Sequence, residues 1–415
     1  MDNSTLHPRF ALHRLVEALQ DTPVVLIHGP RQCGKTTFAR SVGDAAGYSY
    51  ISFDDDVLRA SVKTDPMGFV TELPDKVVLD EVQRVPELFT SLKLVVDRDR
   101  RPGRFILTGS ANVLLVLKLA DSLAGRMEIL RLHPLSQCEL GAIKSNFLNE
   151  LFGDGFKMKQ QARLGKALVE RIVAGGYPAA LARSSSLRRA TWYRKYIETM
   201  IQRDVRDIAR ISSLDVLPRL LSLAAGQTAR MLNVSELGSP FQLSRPTIRD
   251  YVTLLERVFL LEELPPWHQT RLSRLIKTPK LHLGDSGLAC ALLGVDAATL
   301  WEDRTLLGQL LETFIFQELR RQASWQDDPI NFYHYRDKDG VEVDIVLEGR
   351  GQSVAGVEVK AAATVSLRDF HGLRKLKESS GNRFAGGVVL YDGEVTTTFG
   401  EKLFAVPIRS LFEPT

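Results

Sequence analysis

Eight consecutive residues, Gly29-Pro30-Arg31-Gln32-Cys33-Gly34-Lys35-Thr36, have the spacing G-x-x-x-x-G-K-[ST]. Glycines at both ends let the backbone curl so that successive N–H groups face phosphate oxygens, and a helix opening at Thr36 and Thr37 adds its partial positive charge. In such a loop Lys35 neutralises the β- and γ-phosphates and the Thr36 hydroxyl holds Mg²⁺. A second element, Val77-Val78-Leu79-Asp80-Glu81, is an apolar run ending in two carboxylates. Asp80 suits the magnesium shell, and Glu81 suits polarisation of an attacking water. Together they predict ATP and Mg²⁺ as cofactors and hydrolysis as the reaction. A third run, Phe105-Ile106-Leu107, delivers Thr108, Ser110 and Asn112, which read either as γ-phosphate sensors or as an ordinary turn. Arg126 reads as a charge-stabilising arginine, in cis or from a second copy, or as a surface ion pair. Asp54-Asp55-Asp56 reads most simply as a solvated acidic turn.

A second constellation lies near the C-terminus. Asp344 falls in Val341-Glu342-Val343-Asp344, and Glu358-Val359-Lys360 ends the next apolar run. Residues two apart on a strand share a face, so Asp344, Glu358 and Lys360 are expected on one surface of a hairpin. Glu312, on a preceding helix, is the fourth member. Two carboxylates could hold Mg²⁺, with the lysine beside the phosphate. The set resembles the PD-(D/E)xK nuclease constellation, though no proline precedes Asp344. The opposing reading is scattered charge on half-exposed strands, or a nuclease fold kept for binding alone.

Between the two sites lies a basic helical block containing Arg183, Arg188, Arg189, Arg194, Lys195, Arg203, Arg206 and Arg210. Residues 234–261 then read as a helix-turn-helix, with Ser244 as N-cap, Pro246 in the first turn, and Ile248, Val252, Leu255 and Phe259 as an apolar stripe. Arg245 and Arg249 fall on its outward side, where they could neutralise phosphates of nucleic acid, DNA foremost. Solvated helix faces with Glu198, Asp204 and Asp207 as partners are the plainer account.

These groups need elements to hold them. Residues 24–28, 48–53, 77–79, 104–107 and 127–132 read as buried strands alternating with helices at 36–42, 86–96 and 112–120. That alternation predicts a parallel sheet covered on both faces. After Gly175-Gly176-Tyr177-Pro178 the chain is helical. Beyond residue 306 come a helix (307–321), strands 331–335, 341–347 and 354–360, a helix capped by Ser366 and Asp369 with Leu367, Phe370, Leu373 and Leu376 on one face, and a last strand at 387–391 before a short tail. The 415 residues divide into 1–140, 141–210, 211–280 and 281–415. With 44% hydrophobic and 25% charged residues the composition is that of a globular protein, and its net charge of +4 permits an acidic partner without requiring one. No apolar run reaches the roughly 18–20 residues that cross a bilayer, since Lys118 breaks the longest. Three cysteines without metal-like or paired spacing point to a reducing, cytoplasmic setting.

The segments GPRQCGKT, LDEVQRVPELF, ILTGSAN, SLAGR, GGYP and IQRDV together resemble the prokaryotic AAA-type ATPases (AAA_14) whose C-terminal half is the domain DUF4143. The resemblance implies an α/β multidomain chain: a RecA/AAA-like core with a parallel sheet, a winged-helix-like middle and a restriction-endonuclease-like C-terminal domain. The expected function is ATP hydrolysis coupled to a nucleic-acid-binding, nuclease-like module. A binding switch with a silent C-terminal site, assembling with itself or another protein, is the alternative. A small-molecule kinase fits less well, because the helix-turn-helix would be idle.

Overall fold

The computed structural model describes residues 6–110, 123–206, 214–269 and 278–413. The expected helix at 112–120, with Asn112, lies outside them, as do Asp207 and Arg210. Strands β1 (Val24–His28), β2 (Ser49–Ser52), β3 (Val77–Asp80), β4 (Phe105–Gly109) and β5 (Met127–Arg131) form a sheet in the order β2-β3-β4-β1-β5. All four pairings are parallel. β1, β3 and β4 are buried throughout, because helices such as Lys35–Gly43 and Leu88–Arg98 cover the sheet. This order sets the C-terminal ends of β3, β4 and β1 side by side.

The segment 141–160 departs from the expected helical subdomain. Helix Phe147–Phe152 packs into the C-terminal core, and the short β6 (Lys159–Gln160) joins the C-terminal sheet. Helix Ser186–Thr199 then runs into a π-helical turn at Met200–Val205. Helix Val216–Gly226, β7 (Arg230–Met231), helix Val234–Gly238, a 3₁₀ turn and helix Arg245–Arg257 follow. β8 (Leu261–Leu264) and β9 (Lys280–Leu283) complete a small sheet, β7-β9-β8. Ser244 caps the Arg245–Arg257 helix by accepting from the Thr247 amide at 3.3 Å, and Ile248, Val252 and Leu255 are buried as expected. The helix stops short of residue 261 because Phe259 adopts φ +62°, which turns the chain into β8.

The C-terminal sheet has seven strands in the order β10-β11-β12-β13-β15-β14-β6. They are β10 (Asn331–Arg336), β11 (Glu342–Glu348), β12 (Val354–Lys360), β13 (Phe384–Tyr391), β14 (Val395–Gly400) and β15 (Leu403–Pro407), with β6 at the edge. β14 and β15 replace the expected tail. Helix Arg304–Ala323 precedes the sheet, and helix His371–Ser380 crosses from β12 to its parallel neighbour β13. The Ser366–Asp369 capping box forms, but it opens a 3₁₀ turn, so Leu367 is exposed while Phe370, Leu373 and Leu376 are buried. Among the described residues no helix is long and apolar enough to cross a membrane.

One buried carboxylate ties these parts together. Asp285 caps helix Ser286–Leu293 through the Gly287 amide at 2.9 Å. It also accepts from the Gly176 amide at 2.9 Å, the Tyr193 hydroxyl at 3.0 Å and the Arg321 guanidinium at 2.9 Å. Arg321 donates onward to Glu318 at 2.6 Å and to the Leu135 carbonyl at 3.0 Å. A Cβ on Gly175, which has φ +66°, would lie 2.1 Å from Asp285 Oδ1, so the glycine pair is what lets the chain pass. Removing one partner of a buried pair strands the other charge, at a cost of about 3–5 kcal/mol. Arg321→Met is therefore expected to lower the midpoint of thermal unfolding by several degrees, and Arg321→Met with Asp285→Asn to lower it by less than the sum of the single changes. Additive losses in scanning calorimetry would refute the coupling.

Candidate active site

The loop after β1 is shaped by close approach. A Cβ on Gly29 would sit 2.1 Å from the Leu132 carbonyl oxygen, and Gln32 and Gly34 hold φ of +58° and +100°. Gly34 then starts helix Lys35–Gly43, whose first amides have no intrahelical acceptors. The Lys35 ammonium is buried and donates to the carbonyls of Gly29 at 3.1 Å and Pro30 at 2.8 Å. Behind the loop, burial and then the charges of Arg131 and Lys35 push His28 down to about 3, so this histidine is neutral.

Asp80, at the end of β3, collects three hydroxyls. Thr36 donates at 3.0 Å, Tyr50 at 2.8 Å, and Thr108 donates to the same carboxylate from β4. Burial, followed by the Asp80 hydrogen bond, pushes the Tyr50 phenol up to about 12, which keeps it a donor. Glu81 follows in a left-handed conformation at φ +60°, its amide donating to Thr108 Oγ1 at 3.2 Å. Its carboxylate accepts from Ser110 at 3.1 Å and from the Gln83 amide, which also donates to Ser110 at 2.9 Å. Thr36 and Asp80 thus present oxygens suited to a hard divalent cation at the mouth of the loop, and Glu81 is held beside them by neutral donors. Bound there, Mg²⁺ would shield phosphate charge.

Tyr50 and Gln83 were not legible as site residues. Gln83 carries a weak signal, a polar residue two beyond Glu81, whereas Tyr50 reaches Asp80 only through the pairing of β2 with β3. Arg31 does more than fill the loop. Its Nε donates to Asp204 at 2.7 Å, on the π-turn, and its carbonyl accepts from Tyr196 at 3.3 Å. The acidic turn is structural: Asp55 caps helix Asp56–Thr64, and Asp54 pairs with Arg84 at 2.9 Å.

Arg126 is corrected as a residue of this site in cis. Its carbonyl accepts from the Val24 amide at the start of β1, whereas the phosphate loop leaves the other end of that strand. Its guanidinium is engaged by Asp97 at 2.5 and 2.9 Å, the surface ion pair that its sequence also allowed.

In the C-terminal sheet, Glu312, Asp344, Glu358 and Lys360 do converge, with an addition. Lys280, from β9, places its ammonium 2.8 Å from Glu312 and 3.3 Å from Asp344. Asp344 also accepts from the Val359 amide at 2.9 Å, while Lys360 stands 3.9 Å from Glu358. Burial opposes charge on Lys280, Glu312, Asp344 and Glu358. The Lys280 ammonium nevertheless holds Asp344 below its usual range, while Glu312 is raised to about 8 by burial and then by Asp344. Among the described residues, no group of three or more His, Cys, Asp or Glu is arranged to hold a metal. Arg245 and Arg249 are exposed, and they line an open groove of about 710 Å³ with Arg230, Asn233, Glu236 and Thr278. Arg249 also pairs with Glu263 at 2.9 Å.

Comparison with known proteins agrees with this layout. Residues 21–141 match the AAA domain model AAA_14, residues 165–299 match DUF8612, a domain of unknown function, and residues 307–411 match DUF4143, likewise of unknown function. Uncharacterized proteins of Mycobacterium tuberculosis and Mycobacterium bovis are each 29% identical over 401 residues, 96% of this chain and 83% of the relative. Among solved structures, a Walker-type ATPase of Pyrococcus abyssi is similar at 16% identity and a TM-score of 0.45, over 70% of this chain and 97% of that one. The loop on β1 therefore lies in a segment that matches the AAA domain model AAA_14, and the cluster on β11 and β12 in one that matches DUF4143.

Proposed function

We propose that the chain hydrolyses ATP with Mg²⁺ and couples the cycle to rearrangement of a nucleic-acid-binding C-terminal part. The observation that carries hydrolysis is the pair Asp80 and Glu81 at the loop mouth, one bonded to Thr36 and the other held by Ser110 and Gln83. Glu81 would orient and polarise water, and Lys35 would leave the loop carbonyls for the phosphates. Coupling has material routes. Arg31 joins the loop to Asp204, the His28 ring lies 5.9 Å from Phe259, and Arg131 joins β5 to Glu262 on β8 at 3.2 Å. A nucleotide that draws on Arg31 competes with Asp204 for the same guanidinium.

The nucleic-acid reading rests on the run from helix Val216–Gly226 to β9. Its helix, strand, two helices and hairpin are in the order of a winged helix, with the arginine groove against the second of those helices. The succession helix, β10-β11-β12, helix, β13 supports a restriction-endonuclease-like reading of the remainder. The binding-switch alternative is favoured by Lys280, seated between the carboxylates that a nuclease would use. Arg126 could serve a phosphate only in a neighbouring copy, after giving up Asp97. The three free, buried cysteines fit a cytoplasmic setting.

Glu81→Gln is expected to cut steady-state ATP turnover by roughly 100-fold or more while nucleotide still binds, the usual scale for losing a positioned base. Lys35→Ala is expected to weaken nucleotide binding as well; unchanged turnover in both variants would sink the proposal. In fluorescence anisotropy, Arg245→Ala with Arg249→Ala should weaken duplex DNA binding and reduce the salt slope by about 2, one for each lost phosphate contact. An unaltered slope would remove this helix from the interface.

A further inference from the structure

Lys280 is the residue of this molecule whose position is least explained by the architecture alone. It is 2% exposed, on a strand whose ladder fixes it on both sides, opposite Met231 on β7 and Leu264 on β8. From there its side chain leaves the middle module and enters the C-terminal sheet. Burying an ammonium is unfavourable unless charged partners and hydrogen bonds replace its water. Asp344 on β11 supplies the charge at 3.3 Å, and Glu312 on the Arg304–Ala323 helix accepts a hydrogen bond at 2.8 Å.

We infer that Lys280 is the resident cation of the Glu312/Asp344/Glu358 cluster, which makes the cluster an ion-pair joint between the two modules and excludes a divalent metal. The argument is one of space and charge. A divalent ion shared by Glu312 and Asp344 would need those oxygens at about 2.1 Å for Mg²⁺. The Lys280 nitrogen already stands between the same oxygens. The other Asp344 oxygen is taken by the Val359 amide, and Glu358 hydrogen-bonds to Asp344 instead of standing open. A metal could enter only after the lysine withdrew and broke its contacts with Glu312 and Asp344. The two residues before Lys280, Thr278 and Pro279, line the arginine groove, so the plug belongs to the element that meets whatever docks there. The nuclease-like residues do not fit a metal in this arrangement. The inference deepens the binding-switch reading, and its test is independent of ATP turnover.

The test is Mn²⁺ titration of the nucleotide-free full chain, followed by electron paramagnetic resonance. Wild type and Asp344→Asn are expected to bind Mn²⁺ equally. Lys280→Met is expected to gain one Mn²⁺ at least tenfold tighter than any wild-type site, lost again when Asp344→Asn is added. A wild-type Mn²⁺ that Asp344→Asn removes, or a folded Lys280→Met chain that gains none, overturns the inference. If Lys280→Met does not fold, the neutral triple Lys280→Met, Glu312→Gln, Asp344→Asn must recover folding, and failure to do so overturns it too. Plasmid nicking separates the two readings. Asp344-dependent nicking by wild type defeats both, whereas an Asp344-dependent Mn²⁺ without nicking defeats only the role given to Lys280.

Discussion

The arrangement of this chain depends on a charge that water does not reach. Asp285 and Arg321 are both buried and 2.9 Å apart, so each replaces water that the other has lost. Their partners come from distant parts of the sequence: Leu135 after the ATPase sheet, Gly176 and Tyr193 in the helical middle, Glu318 on the long C-terminal helix. Satisfying the pair therefore requires all of these segments to arrive together. A buried polar network of this kind penalises partial assembly more than apolar packing does, because each missing donor leaves a desolvated acceptor. The apolar contact of Phe10 with Trp325, at 5.4 Å, ties the N-terminal segment to the residues just after the same C-terminal helix without that selectivity.

The nucleotide site is organised by the same logic on a smaller scale. Asp80 is 4% exposed and receives hydroxyls from three separate segments, which fixes its rotamer before any cation arrives. Glu81 is held differently. A left-handed backbone lifts its carboxylate away from the strand, and among the described residues its hydrogen-bond donors are the neutral Ser110 and Gln83. The proposed division of roles, a metal for one acid and water for its neighbour, would thus follow from how differently two adjacent, chemically alike residues are held.

Much of this was legible in the residues because the relevant information is local. Continuous apolar runs mark buried parallel strands, and β1 begins and ends where such a run was read. What escaped is long-range or conformational. Leu261-Glu262-Glu263-Leu264 has helical spacing but forms β8, since its ladder with β9 outweighs a weak local preference. β14 was missed because Thr396, Thr397 and Thr398 interrupt its apolar patterning, and β15 because its short apolar run Leu403–Pro407 lies in what read as a tail. Tyr50 acts across the pairing of β2 with β3 and Lys280 across a contact between sheets, and no spacing rule encodes either. Arg126 is the instructive case. A residue just before a parallel strand lies at the end of the sheet opposite the phosphate loop, so topology alone argued against it in cis.

For ATP to move the rest of the chain, it must interact differently with two arrangements of it. Only contacts shared by the loop and the outer modules can carry that difference. The Asp285 network cannot, since it would have to strand a buried charge to change. Arg31 can: its guanidinium is about a quarter exposed, it faces Asp204 on a π-turn, and it sits in the loop that receives phosphate. A π-turn is a local departure from helical hydrogen bonding, and regaining regular helix there would shift everything that follows. On the proposed coupling, a nucleotide that took Arg31 from Asp204 would therefore act first on the π-turn at Met200–Val205, while the Asp285 network stayed fixed.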